Sequence, residues 1–295
     1  MTKDNGISKF DDAIMLLPSV LRKEARQLSG SQRSKVEEIR LRKGRLLSVL
    51  MPDGELDVGT LVVNSEHINS LLDIATGVSA HSFRESIKNG YITAKGGYRI
   101  GLGGTTVLKN GEVDGFRELT SVSIRIPREI VGVSDDITIS EPFNSTLIIS
   151  PPGCGKTTLL RDVVRKLSDS GLRVSLADER SELAAVWQGE AQMDVGRRTD
   201  IIDGCPKSQA VLMLLRAMNP QVIAIDEITH PNDIEAIKEA ANCGVELLAT
   251  AHAWDEKDLS ARPMYNELLK QKIFKKVIII SKNNGIRRYE VKKLC

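Results

Sequence analysis

Ser150-Pro-Pro-Gly-Cys-Gly-Lys-Thr157 is the stretch that decides the fold of this chain. It follows an apolar run, Thr146-Leu-Ile-Ile149, and precedes a segment, 159–167, whose apolar residues recur at helical spacing. This order predicts a strand, a phosphate-binding loop and a helix, because such a loop points successive backbone N–H groups at one spot above a helix N-terminus. Ser150 replaces the first glycine of the usual G-x-x-x-x-G-K-[ST] pattern, but the other glycines still allow the backbone to approach a phosphate.

The loop supplies candidate ligands for a nucleoside triphosphate. Lys156 offers a cation to the phosphates, and Thr157 offers a hydroxyl to Mg²⁺. We therefore predict that the chain binds ATP or GTP with Mg²⁺; the alternative is a glycine-rich turn with a chance Gly-Lys-Thr sequence. The candidate nucleotide-binding residues are Ser150, Pro151, Pro152, Gly153, Cys154, Gly155, Lys156, Thr157 and Thr158.

Composition predicts two globular domains and excludes several classes of protein. The chain has 295 residues, of which 41% are hydrophobic, enough for two packed cores. Its 41 basic and 39 acidic residues leave a net charge of +2, so nucleic acid is not an expected partner. The four cysteines form no C-x-x-C pair, which argues against a zinc site or a disulfide framework and favours a reducing cytosol. No apolar stretch approaches the ~20 residues of a membrane span, so any membrane association is expected to be peripheral.

The first predicted domain, residues 1–138, has short elements of mixed α/β type. Apolar spacing predicts an early helix that is interrupted or bent near Pro18, and Ile39-Arg-Leu-Arg42 alternates like a strand. Asn64 or Ser65 is a candidate N-cap for a following helix. Turn signals between strand-like residues predict hairpins, and the glycine-rich Gly101–Gly104 is interpreted as part of one of them.

The second predicted domain, residues 139–295, alternates strands and helices. Buried-type strands are predicted at 173–177, 221–225 and 245–249, and helices at about 208–218 and 233–243. Such alternation predicts a RecA-like P-loop NTPase domain with a mostly parallel sheet, whose chemistry lies at the carboxyl ends of the strands.

Polar residues follow three of the predicted strands where a ligand would bind. Asp226 is a candidate Mg²⁺ ligand, and Glu227 is a candidate catalytic residue that orients or deprotonates the attacking water. An N-cap cluster ahead of Pro231 is the alternative for this pair. His252, at the end of a later strand, is a candidate sensor of the γ-phosphate or its water, or else an ordinary core or surface histidine.

Two further residues complete the predicted catalytic set. Glu179 is a candidate second carboxylate of the site, although an ion pair with Arg180 would also explain it. Arg198 lies with Arg197 in a glycine-flanked loop, and one of the two is a candidate arginine finger, with Arg198 taken as the site residue. In multimeric ATPases such a residue often reaches the phosphates of a neighbouring subunit. A solvated loop is the alternative for this arginine.

Arranged in this order, the motifs resemble those of the ATPases of type II and type IV secretion and of pilus motors. In those proteins a phosphate loop precedes an acidic box, a second nucleotide motif and a histidine box. One departure is the Asp226-Glu227 pair, where many secretion ATPases have Gly-Glu. The counterparts here are 148–157, Leu176-Ala-Asp-Glu-Arg180, 222–227 and Leu248-Ala-Thr-Ala-His-Ala253.

The chain is more similar still to the stage III sporulation protein AA family, from about residue 36 to the end. The resemblance implies a cytoplasmic, hexameric ATPase of endospore formers. It further implies peripheral association with a channel complex in the membrane around the forespore, on the mother-cell side. The motifs that carry it are Glu38-Ile-Arg-Leu-Arg42, Gly96-Gly-Tyr-Arg-Ile-Gly101, Ser123-Ile-Arg-Ile126, Arg198-Thr-Asp-Ile-Ile-Asp-Gly-Cys-Pro206 and Asp226-Glu-Ile228.

The predicted function is therefore that of an ATPase of the secretion-motor type, which hydrolyses ATP by in-line attack of water to power or gate a membrane-associated channel. Two alternatives stay open at this point. One is an ATP-dependent nucleic-acid-binding protein, and the other is a nucleotide-gated scaffold with little turnover.

Overall fold

The structure is a computed structural model that describes residues 3–77, 84–127, 129–139, 142–283 and 286–294. Cys295 lies outside the described residues. The chain divides into two compact units, each made of two segments: Met1–Arg128 with Ala185–Gln192, and Glu129–Ala184 with Met193–Cys295. The boundary predicted after residue 138 thus falls within the second unit, and the sequence gives no sign that an internal segment belongs to the first.

The described residues of the first unit form a six-stranded antiparallel sheet with the order β3-β2-β1-β6-β5-β4, together with five α-helices. The predicted early helix is confirmed, since it breaks into a 3-10 turn at Ile14–Leu16 and restarts after Pro18. The elements are α1 Lys3–Ala13, α2 Ser19–Ala25, α3 Gly30–Arg33, β1 Glu38–Arg42, β2 Leu46–Met51, β3 Gly54–Val62, α4 Ser65–Thr76, α5 Arg84–Lys88, β4 Tyr91–Ala94, β5 Tyr98–Lys109 and β6 Glu112–Arg125.

Local capping and turn chemistry explain several of these boundaries. Asn64 caps α4, because its side-chain oxygen accepts the backbone N–H of His67 at 2.9 Å. The Asn110-Gly111 turn joins β5 to β6, and both residues have the positive φ that such a turn requires. Gly101–Gly104 lies within β5, as the hairpin interpretation predicted.

The segment Ala185–Gln192 belongs to the first unit although it comes from the middle of the chain. The side-chain oxygen of Gln192 accepts a hydrogen bond from the backbone N–H of Gly96 at 2.7 Å. The ammonium of Lys95 lies 5.9 Å from the centre of the Trp187 ring, within the range of a cation–π contact. These contacts tie the segment to the β4–β5 turn.

In the described part of the second unit, seven strands form a sheet with the order β13-β12-β7-β11-β10-β8-β9. All neighbouring pairs are parallel except β12 with β13. The predicted α/β fold with a mostly parallel sheet is confirmed. The elements are β7 Thr146–Ser150, α6 Lys156–Asp169, β8 Val174–Asp178, β9 Thr199–Asp203, α7 Lys207–Ala217, β10 Val222–Glu227, α8 Pro231–Asn242, β11 Glu246–His252, α9 Glu256–Ala261, α10 Pro263–Lys270, β12 Lys276–Asn283 and β13 Ile286–Lys293.

The central strands β7, β8, β10 and β11 are buried on both faces. Every residue of β7 and β8 is buried, and so are the first five of β10. Apolar side chains of α7, α8 and α10 pack against the strands and form a continuous core. Burial of apolar area at roughly 25 cal/mol per Å² is the main stabilising term for such a core. The sheet is therefore a rigid base for the polar residues at its carboxyl edge.

Candidate nucleotide site

The predicted phosphate loop joins β7 to α6. Ser150 is the last residue of β7 and is fully buried, while Lys156 and Thr157 begin α6 and Thr158 follows in its first turn. Gly153 and Gly155 have φ of 74° and 96°, which side-chain-bearing residues rarely adopt. The strand, loop and helix predicted from the sequence are all present.

Lys156 is buried in a chain of polar contacts that crosses from β7 to β10. Its Nζ lies 2.6 Å from Nδ1 of His252 and 3.3 Å from the backbone oxygen of Ser150. Nε2 of His252 lies 2.8 Å from a carboxylate oxygen of Glu227. Since an ammonium only donates, Nδ1 accepts and the Nε2–H group donates to Glu227. The structure thus brings together three of the predicted site residues.

The electrostatics of Lys156 favour an anion. Burial lowers the pKa of Lys156, and the charges of Glu227 and Asp226 act in the opposite direction. Its direct contacts are an imidazole and a carbonyl rather than a carboxylate. A bound phosphate would supply the counter-charge that the ammonium lacks in its own contact shell.

A β-bulge sets the positions of Asp226 and Glu227. Ile225 pairs with Ala249 on β11, but Glu227 pairs with Thr250, so that Asp226 is an extra residue on β10. Bulges of this kind re-aim side chains at the end of a strand. The bulge therefore allows the two successive carboxylates of Asp226 and Glu227 to lie together at the carboxyl ends of the strands.

Asp226 is buried and surrounded by other acids. Burial raises the pKa of Asp226 to about 6, with further contributions from the charges of Glu182 and Asp178, while Lys207 acts to lower it. No hydrogen-bond donor reaches its carboxylate among the residues that the structure describes. Such a carboxylate fits a divalent cation, which would relieve the repulsion.

The neighbouring strand end organises the loop after β8. The fully buried carboxylate of Asp178 accepts three backbone N–H groups, from Glu182, Leu183 and Ala184, at 2.9, 3.0 and 2.8 Å. Arg161 on α6 donates to the carbonyl oxygens of Leu183 and Glu182, each at 2.6 Å. Asp178 was predicted only as a member of the acidic box Leu176-Ala-Asp-Glu-Arg180, and Arg161 was not predicted. Together they fix the loop that carries the acids around Asp226.

Glu179 does not use the alternative partner that the sequence suggested. Its carboxylate pairs with Nζ of Lys207 at 2.6 Å, and Lys207 also reaches the Thr229 hydroxyl at 3.4 Å. Lys207 is almost fully buried at the start of α7. This lysine was missed because it opens an ordinary amphipathic helix. Glu179 lies at the same sheet edge as Asp178, so its role as a second site carboxylate stays a prediction.

Arg198 lies at the amino ends of the strands, opposite the carboxyl ends that carry the other predicted site residues. It immediately precedes β9, whose first residue pairs with the first residue of β8. Its guanidinium donates to the carbonyl of Gly171 at 2.7 Å, beyond the C-terminal end of α6. Arg198 is therefore away from the phosphate loop of its own unit, and its role as an arginine finger stays a prediction.

The residues at the carboxyl edge fit a magnesium nucleotide. Gly153 has open space beside it. Among the described residues, Lys156 is a buried cation without a carboxylate contact and Asp226 is an acid without a hydrogen-bond donor. No group of three or more metal-binding side chains occurs among the described residues. Mg²⁺ keeps several waters and takes its remaining ligands from one or two side chains and the substrate phosphates. Thr157 and Asp226 are the residues that would hold it.

None of the described helices is both long and apolar enough to span a bilayer.

Comparison with known proteins places the chain in a family. Residues 8–290 match the family described as "Sporulation stage III, protein AA". The chain belongs to this family. One relative is the stage III sporulation protein AA of Bacillus subtilis (strain 168), which is 33% identical over 279 residues, covering 92% of this chain and 90% of the relative.

Solved structures of an ATPase and of a pilus retraction motor share the fold of this family member. The X-ray structure of the Legionella pneumophila ATPase DotB matches with a TM-score of 0.58 and 17% identity, covering 88% of this chain and 77% of DotB. The pilus retraction motor PilT with bound ADP matches with a TM-score of 0.60 and 14% identity, covering 88% and 79% of the two chains. These likenesses show a common α/β fold of the predicted RecA-like type.

Proposed function

We propose that this protein is a Mg²⁺-dependent ATPase of the secretion-motor type. The observation that carries the proposal is the contact chain from Lys156 of the phosphate loop through His252 to Glu227. It joins the group that would bind phosphate to the group that would activate water. The two solved structures that share the fold, an ATPase and a motor with bound ADP, support the same assignment.

Each residue of the site has a distinct task in hydrolysis. Lys156 and the backbone N–H groups of the loop bind the β- and γ-phosphates and stabilise the charge that develops on them. Glu227 orients the attacking water and accepts its proton. Thr157 and Asp226 would hold Mg²⁺, which would supply positive charge to neutralise the phosphates.

The contact chain also couples binding to catalysis. Lys156 gives its shortest contact to His252, and a bound phosphate would compete for that ammonium. When Lys156 turns to the phosphate, Nδ1 of His252 loses the hydrogen bond that it accepts from the ammonium. This change alters the strength of the hydrogen bond that the Nε2–H group donates to Glu227. His252 is therefore assigned as the sensor of phosphate occupancy.

The biological role follows from the family. Its description and the Bacillus subtilis relative both refer to stage III of sporulation. We infer that the ATPase works in the cytoplasm of the mother cell, peripheral to the forespore membrane, where hydrolysis powers or gates a channel complex. Nucleic acid is not the inferred partner, since basic and acidic residues nearly balance.

Nucleotide turnover in the full chain tests the enzymatic assignment. We expect Lys156→Ala to lose nucleotide binding and Glu227→Gln to bind but lose turnover by roughly 10²- to 10⁴-fold, because the first removes a phosphate cation and the second only the catalytic carboxylate. Lys166→Ala, on the same helix, and Glu235→Gln, on α8, are matched controls that should retain activity. Parent protein that binds Mg-ATP without turnover in any assembly state would favour the nucleotide-gated scaffold.

We also propose that the active form is a ring, a hexamer by family resemblance, in which Arg198 contacts the nucleotide of a neighbouring subunit. The position of Arg198 at the edge of the sheet remote from its own phosphate loop supports this arrangement. In mixtures, Glu227→Gln subunits should depress parent activity more than dilution does, and Arg198→Ala should lower turnover in the assembly. Activity proportional to the parent fraction, with a monomeric mass in Mg-ATP, would exclude the ring.

A further inference from the structure

The last strand of the second unit brings an arginine onto the phosphate loop. Nε of Arg287, on β13, donates to the backbone carbonyl oxygen of Cys154 at 2.9 Å. A Cβ atom placed on Gly155 would lie 3.0 Å from Nε and 3.2 Å from both Cζ and Nη2 of this guanidinium. The guanidinium therefore lies close against the backbone of the loop, and any larger residue at Gly155 would press on it.

This arginine has donors to spare. The hydrogen bond to Cys154 uses Nε, and neither Nη group has a protein acceptor among the described residues. Its side chain is partly buried, so part of its hydration is already lost. The anchored guanidinium is thus held in one orientation with two donor nitrogens and its planar faces available to a ligand.

The order of the strands indicates which end of a nucleotide would lie near Arg287. The phosphate loop follows β7, which has β11 and then β10 on one side and β12 and then β13 on the other. His252 and Glu227, assigned to the γ-phosphate and the attacking water, end β11 and β10. The terminal phosphate therefore points to that side of β7, and the opposite, nucleoside end points toward β12 and β13.

We propose that Arg287 binds the nucleoside end of the nucleotide, with its planar guanidinium packed against the purine base. This inference rests on the proposed function and assigns a part of the ligand that the phosphate loop does not recognise. Because the guanidinium is already anchored at Nε, it loses little further conformational entropy when its planar face contacts a base. Arginine also stacks well on aromatic rings. The contact also gives the β12–β13 hairpin a direct link to nucleotide occupancy.

Equilibrium binding of ATP, ADP and inorganic tripolyphosphate, each with Mg²⁺, tests the assignment in the full chain. Arg287→Gln should weaken ATP and ADP binding about tenfold, equivalent to the loss of about 1.4 kcal/mol, and leave tripolyphosphate binding unchanged. Arg287→Lys keeps the charge without the planar face and should show the same selective loss. Arg288→Gln, the exposed neighbour on the other face of β13, is the matched control and should bind all three ligands like the parent.

The outcomes separate this inference from the proposed function. An equal loss for tripolyphosphate and ATP would mean that Arg287 only braces the loop, and no loss would remove it from the site; either result overturns the inference while leaving the ATPase assignment standing. Parent protein that binds no nucleotide would overturn both. Thermal unfolding of each variant checks that it is folded. If Arg287→Gln is not folded, the binding data of Arg287→Lys test the inference.

Discussion

Two buried aspartates of the second unit show how differently the same side chain can be used. Asp162, on α6, accepts hydrogen bonds from Ser134, Gly132 and Arg165, and these outweigh the effect of burial and hold its pKa at about 2. Asp226, at the end of β10, is buried to a similar degree, but burial and neighbouring acids raise its pKa to about 6. One carboxylate is fully partnered by the protein and the other is not.

The difference separates a region built for stability from one built for a ligand. Around Asp162, the linker before β7 is tied to the phosphate-loop helix by charge-assisted hydrogen bonds, which are among the stronger polar contacts in proteins. Around Asp226, the protein tolerates like charges at close range. Perturbed groups of this kind cluster at functional sites, because a ligand completes what the fold leaves unbalanced.

Of the effects that test this contrast, the largest is expected at Asp226. Asp226→Asn should lower turnover on the order of 100-fold by removing a metal ligand. Without nucleotide, the same change should raise the free energy of unfolding at pH 7.5 by about 3 kcal/mol, because the parent must keep this buried acid ionised. Urea unfolding and turnover measured on the same samples check both parts.

The sign of the pH dependence follows from the raised pKa. In the folded parent, protonation of Asp226 contributes stability that is fully present below about pH 4 and is lost as the pH rises through about 6. The stability gain of Asp226→Asn should therefore grow between pH 4 and 6 and level off above about 7. A gain that is independent of pH would show that the acid is not strained by its surroundings.

A smaller effect of opposite sign is expected at Asp162. Its lowered pKa contributes stability that is present above about pH 4 and is lost as the pH falls toward 2. Asp162→Asn should therefore cost about 2 kcal/mol at pH 7 and almost nothing near pH 2. Asp169→Asn, on the exposed end of the same helix, is the control and should change stability little. Equal losses in the two variants would remove the contrast between Asp162 and the surface acids.

The smallest effect is expected at Lys207, which stabilises the ionised form of Asp226 from a distance. Lys207→Met should shift the pH midpoint of Mg-nucleotide binding upward, since Asp226 would then lose its proton less readily. Lys238→Met, at a half-buried lysine paired with Glu235 and Glu267, is the control. The pH dependence of binding, measured by titration, distinguishes the two variants, and an unshifted midpoint would contradict this role of Lys207.

The fold of the second unit was predictable because its signals are local. The strand, loop and helix around Lys156 follow from apolar periodicity and glycine positions, and the strand ends that carry Asp226 and His252 follow from the alternation of elements. Their meeting was also predictable, since parallel strands place their carboxyl ends at one edge.

The rest of the site depends on contacts that leave no local trace. Arg287 reaches the phosphate loop only because β13 folds back antiparallel on β12, beside β7, and its sequence neighbourhood resembles any basic hairpin. Lys207 is the first residue of α7, and no sequence motif distinguishes it. The bulge at Asp226 results from the register between β10 and β11. These three features depend on side-chain pairing and on strand register across the sheet. No local sequence pattern at the residues concerned reveals them.

The segment Ala185–Gln192 has a consequence for how the protein is made. The ribosome completes Met1–Arg128 before it reaches this segment, so the newly made first unit lacks the partner of the Gly96 N–H group and the ring that faces Lys95. By the time Gln192 is added, β7, the phosphate loop and α6 have already been synthesised. Domains generally fold in the order of synthesis. Here the first unit is completed only when Ala185–Gln192, which is encoded within the second unit, has been synthesised. The two units therefore complete their folding in an interleaved order rather than one after the other.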